Sequence, residues 1–190
     1  MDVLEWIINT DRHAFYLINS EWSNPAIDAV MIALRDAKTW IPLYAFIIYW
    51  SIRYAKPYTW MFILCSVACF ALADLTSASL IKPLVHRLRP CYDSVMVDKI
   101  HILVGCGGQN SFPSSHASNH FALASFWFYA VQLIRKKTWY WLWLWAFMIG
   151  YAQVYVGKHF PGDILAGTCL GILIGVSVFY FFKRWHQKQL

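Results

Sequence analysis

Long runs without a charged side chain constrain this chain more than any other feature. Counting Asp, Glu, Lys and Arg as interruptions, Ile100 to Ile134, Thr138 to Gly157 and Ile164 to Phe182 are unbroken, and Pro57 to Ile81 holds a single charge, Asp74. Thr39 to Ile52 is a shorter fifth run. A helix needs about 20 apolar residues to cross a hydrocarbon core of ~30 Å. Charged residues make up only 14% of the chain, against about 25% in a soluble domain. Disorder, collagen-like repeats and a soluble nucleic-acid module are excluded. The net charge of +6 then points to lipid headgroups or a phosphorylated substrate, with no nucleic acid. The expected fold is all-α: one polytopic membrane bundle over residues 1–190.

Five spans are expected, at 39–54, 58–82, 115–134, 138–156 and 162–182. Gly105, Gly107, Gly108 and Pro113 confine the third to the second half of its run. Residues 2–19 read as an amphipathic interfacial helix, with Asp2, Glu5 and Asp11 arguing against a signal peptide. Ser23 or Asn24 can cap a short helix starting at Pro25. Counting that helix, 25–34, as a span would make six. Residues 1–38 thus form an N-terminal section and 183–190 a basic tail. Arg53 to Lys56, Arg135 to Lys137 and Lys183 to Lys188 are tight basic clusters on one side without acidic residues, which marks that side as cytoplasmic.

Polar residues break the apolar pattern at three places, all on the opposite side. They are Lys82 to Pro90, Pro113 to His116, and His159 to Asp163. Their chemistry suits phosphoryl transfer, which needs cations, backbone donors, a nucleophile and an acid for the leaving group. Lys82 and Arg89 supply cations. Ser114, Ser115 and His116 open a helix after Pro113, where N–H groups and the dipole favour an anion. Asp163, four residues beyond His159, can hold its imidazole in one tautomer and make it a nucleophile. His116 is left as general acid.

In this order, K-x6-R-P, P-S-x-H and H-x3-D resemble the type 2 phosphatidic acid phosphatase family. The matching residues are Lys82, Arg89, Pro90, Pro113, Ser114, His116, His159 and Asp163. The resemblance implies a bacterial membrane enzyme that hydrolyses lipid phosphates without metal or other cofactor. It implies a phosphohistidine on His159, with His116 protonating the leaving oxygen. Two positions depart from the pattern. Ser115 stands where the family has Gly, and Ala152-Gln153 where it has Ser-Arg. Gln153 can still donate to phosphate but lacks the charge, and a charge-assisted bond is roughly twice as strong. Lys158, Lys38, Arg87 and Arg12 lie on the correct side to compensate.

Rival readings use the same residues. His116, His120, His159 and Asp163 could hold zinc, although Lys82 and Arg89 would repel a dication. A vanadate-dependent peroxidase is disfavoured by the spans. A non-hydrolytic lipid-phosphate binder is the alternative of another class. Among substrates, a polyprenyl diphosphate such as undecaprenyl diphosphate comes first, with lipid A phosphate and phosphatidylglycerophosphate as alternatives. The expected location is the bacterial inner membrane, with the site facing the periplasm. Cys91 and Cys106 would form a disulfide in that oxidising space, while Cys65, Cys69 and Cys169 would be buried thiols. Asp74 reads as a helix-packing residue, and Gly167, Gly171 and Gly175 as a seam within one subunit.

Overall fold

The structure is a computed structural model describing residues 2–189; Leu190, the end of the expected tail, lies outside the described residues. It is built from helices and the loops that join them, and no strand occurs among the described residues. Seven helices carry the fold: α1 Val3–Tyr16, α2 Pro25–Arg35, α3 Ile41–Tyr54, α4 Thr59–Val85, α5 Ser115–Arg135, α6 Trp141–Tyr155 and α7 Pro161–Gln187. Asn24 caps α2, its side chain accepting the Ala26 N–H at 2.9 Å, and Pro25 takes the first helical position, where a missing donor costs nothing. Lys183 to Gln187 of the basic tail continue α7, because nothing there breaks a helix.

Two helices are long and apolar enough to cross a bilayer by themselves, α4 and α7, each of 27 residues. Both turn large apolar side chains outward, among them Trp60 (82% exposed), Leu64, Val67, Leu165 and Leu173. α3 and α6 have 14 and 15 residues, about 21 to 23 Å at 1.5 Å per residue. Helix length alone therefore does not carry the five-span count.

The centre of the bundle is α5, buried along most of its length between α4, α6 and α7. Its closest partner is α7. A Cβ at Gly167, Gly171 or Gly175 would fall on the carbonyl oxygens of Ser114, Ser118 and Ala122. The glycine stripe is an intrachain seam, as expected. Asp74 on α4 accepts from Asn119 Nδ2 of α5 at 3.1 Å, the helix pairing its sequence context suggested. Cys169 differs from expectation: it lies exposed on the outer side of α7, whereas Cys65 and Cys69 are buried.

α4 contains a widened π-helical stretch, Leu75–Ile81, before its last turn at Lys82–Val85. Such turns recur at functional sites. His86 ends the helix in the left-handed conformation. The following loop folds back on itself: Leu88 bridges Asn110, Arg89 N–H donates to Gln109 O, and Ser111 N–H to Arg87 O. Cys91 and Cys106 come together across this fold, their Cα atoms 6.3 Å apart, within reach of a disulfide.

Candidate active site

The three polar motifs meet where α4, α5 and α7 open toward the loop. His159 sits in the turn between α6 and α7, and Asp163 in the first turn of α7. They are 2% and 0% exposed. His159 Nδ1 lies 3.4 Å from Asp163 Oδ2. A third group joins them that the sequence motifs did not indicate. Ser111 Oγ lies 3.2 Å from His159 Nδ1 and donates to Asp163 Oδ2. The loop fold places Ser111 there through its bond to Arg87, a contact that no local pattern announces.

Asp163 is held from every side. Its Oδ2 accepts the Phe160 N–H at 2.9 Å, closing the start of α7, and its Oδ1 accepts from Arg87 at 2.9 Å. Arg87 also pairs with Asp11 of α1 at 2.5 Å, and Asp11 accepts the Gly162 N–H at 2.7 Å. Arg87 is thus an anchor of the carboxylate and does not compensate for Gln153. Arg12 likewise is bound to Asp93 at 2.8 Å. Lys158 donates to the carbonyls of Gly105 and Cys106. Lys38 is exposed. Arg87, Arg12 and Lys158, three of the four expected substitute cations, are thus bound to other protein groups.

Arg89 faces the other side of the imidazole, with Nη1 3.4 Å from His159 Nε2 and 3.1 Å from the Lys158 carbonyl, while Nε donates to Gly108 O at 2.6 Å. Burial, with the charge of nearby Arg35 opposing that of Asp163, holds the Arg89 guanidinium below its usual range. His159 falls to about 4, chiefly because burial removes the water that would stabilise an imidazolium; the Asp163 bond opposes this and the Arg89 and Lys82 charges assist it. Lys82, at the last turn of α4, is half-buried and within electrostatic reach of Arg89 and Asp163.

The start of α5 differs in one respect from expectation. The Ser114 N–H is committed, donating to Asp163 O at 3.0 Å, while its Oγ accepts from Ala117 N–H at 3.4 Å. The N–H bond ties α5 to α7. The N–H groups of Ser115 and His116, the first two residues of α5, have no acceptor within the helix. Ser115 Oγ accepts from Ser77 at 2.9 Å, so the residue in the glycine position ties α5 to the π-helical stretch of α4. His120 is a packing residue, its Nδ1 2.7 Å from His116 O and its Nε2 3.4 Å from the Tyr44 hydroxyl. Gln153 is 1% exposed; its carbonyl accepts the N–H groups of Lys158 and His159, so it underlies the turn of the nucleophile candidate.

This convergence agrees with comparison to known proteins. A family model described as the PAP2 superfamily matches residues 62–187. The chain belongs to that superfamily. It is 36% identical to a lipid A 4'-phosphatase of Bacteroides thetaiotaomicron over 96% of this chain and 80% of that protein. It is 27% identical to the undecaprenyl-diphosphatase BcrC of Bacillus subtilis over 43% of this chain and 40% of that protein. Its fold resembles the crystal structure of a PAP2-type phosphatidylglycerolphosphate phosphatase from Bacillus subtilis, with a TM-score of 0.71 at 22% identity over 96% of this chain and 87% of that one. This PAP2 protein is an all-helical membrane lipid phosphatase.

Proposed function

We propose that this PAP2 phosphatase removes the phosphate of lipid A, through a phosphohistidine on His159, at the periplasmic face of the inner membrane. The observation that carries the mechanism is the two-sided environment of His159. Nδ1 is engaged by Ser111 and Asp163, while Nε2 looks toward the Arg89 guanidinium. With its proton on Nδ1, the imidazole presents a free lone pair at Nε2, where a phosphoryl group held by Arg89 and Lys82 would sit. Attack forms a P–N bond and breaks the P–O bond to the lipid, whose oxygen takes a proton from His116. Water then cleaves the phosphohistidine, giving its proton back to His116. The Ser115 and His116 N–H groups and the Gln153 amide can donate to the phosphoryl oxygens.

The lipid A reading is supported by the similarity to the Bacteroides enzyme along nearly the whole chain. The sequence-based preference for undecaprenyl diphosphate gives way, because the similarity to that diphosphatase is weaker and covers less than half of this chain. Purified protein should release phosphate from lipid A faster than from undecaprenyl diphosphate or phosphatidylglycerophosphate, with and without EDTA. His159→Ala and His116→Ala should each lower turnover by at least about 10². Lipid A binding without release would favour the non-hydrolytic reading, and near-normal rates in either variant would end the phosphohistidine mechanism.

A further inference from the structure

The family motif has an arginine six residues before the nucleophile, where this chain has Gln153. The N-terminal section carries a different cation within electrostatic reach of the site. Arg35 is the last residue of α2, and α2 packs along α6, the helix of Gln153. The Tyr155 hydroxyl fastens the two, donating to Asp28 Oδ1 at 2.8 Å and accepting the Asn24 N–H at 2.9 Å. Asp28 and Arg35 are seven residues apart and so share a helix face.

Arg35 is half-buried, its Nε is buried without a protein acceptor, and none of the ion pairs among the described residues includes it. Its charge is felt at His116, Arg89 and Lys158, so the guanidinium lies within electrostatic reach of the site. Gln153 Nε2 is also buried without an acceptor. Buried donors in a native protein normally have partners, and two such donors on the neighbouring helices α2 and α6 suit an incoming anion.

We propose that Arg35 is a substrate-binding residue, the cation that replaces the missing motif arginine and, with the Gln153 amide, donates to a non-bridging oxygen of the substrate phosphate. A guanidinium fork matches phosphate oxygens in geometry as well as charge. The inference rests on the phosphate-ester reading above, and binding of inorganic phosphate tests it separately from turnover.

The full-length chain in detergent should be titrated with inorganic phosphate as wild type, Arg35→Gln, Arg35→Met and Arg35→Gln/Gln153→Arg, with folding of each checked by gel filtration. Either single variant should bind phosphate at least about tenfold more weakly, the scale of one bond to a charged group. The double variant, which returns a guanidinium from α6, should recover most of that loss; a purely structural role for Arg35 would give no such rescue. Wild-type phosphate affinity in either folded single variant, or no recovery in a folded double variant, would overturn the proposal. A wild type that binds phosphate through Arg35 yet releases none from lipids would sink the phosphatase mechanism and leave this assignment standing.

Discussion

His159 illustrates how burial sets chemistry at the scale of one residue. An imidazole ordinarily titrates near 6.5, and here burial moves it to about 4. The sign follows from solvation: water stabilises the charged form, so removing it favours the neutral ring. His159 therefore stays uncharged throughout the neutral range and protonates only as the pH falls toward 4. Nitrogen-15 NMR of histidine-labelled protein in micelles should find this ring neutral at pH 5.5. Half-protonation of His159 near 6.5 would contradict the buried, Asp163-bound geometry. Lys158 is a second case. Burial, with the charges of Arg89, Arg35 and Lys82, lowers it to about 8, and its two carbonyl partners hold the loop against the turn of His159. Gly157 precedes it at φ +86°, where a Cβ would also meet His101 O at 3.2 Å. Only glycine takes that turn without strain.

At the scale of elements, the contact of α5 with α7 sets His116 and Asp163 relative to one another. His116 rides on α5 and Asp163 on α7, and the Ser114 N–H to Asp163 O bond joins them directly. The three glycines bring the helices close enough for that bond. At Gly171 a Cβ would meet Ser118 O as well as Ala122 N and Phe121 Cβ, both at 2.9 Å. Backbone atoms cannot step aside as a flexible side chain does, so the helices must separate. Gly171→Ala should destabilise the protein by about 1–3 kcal/mol, the range for overpacking, and reduce turnover. Gly105→Ala, where a Cβ meets nothing within 4 Å, should leave thermal denaturation in detergent unchanged. Equal behaviour of the two variants would show that the seam is looser than described. The amphipathic helix α1 contributes at the same scale, since Asp11 reaches both Arg87 and the start of α7.

At the scale of the whole molecule, the segment between α4 and α5 carries Arg87, Arg89 and Ser111, and it must hold them against helices that it does not belong to. Its own fold-back, the Arg12–Asp93 pair and the meeting of Cys91 with Cys106 constrain it. In an oxidising compartment these two thiols should be joined. Closing a 15-residue loop in this way is worth roughly 3 kcal/mol in the chain-entropy model. Thiol labelling of the unfolded, unreduced protein should therefore count three free cysteines, Cys65, Cys69 and Cys169. Five would show that the loop is held without the bond and would weaken the periplasmic placement.

The sequence by itself determined what depends on neighbours along the chain. Ser115–Arg135 was expected over 115–134, and α2 over 25–34 against Pro25–Arg35, because apolar runs, proline and caps act locally. The three motifs were legible for the same reason, each being a short string at a helix end. Tertiary structure alone decided which distant groups complete the site. Ser111 reaches His159 and Asp163 through the fold-back of its loop. Arg87 turned from a candidate phosphate cation into an anchor because Asp11 and Asp163 converge on it. Arg35 lies outside every motif and is carried by α2, which Tyr155 fastens to α6. Cys169 faces outward because of the rotation of α7 about its axis, which the glycine seam sets. Partners far apart in sequence are chosen by packing, and packing leaves no local periodicity to read.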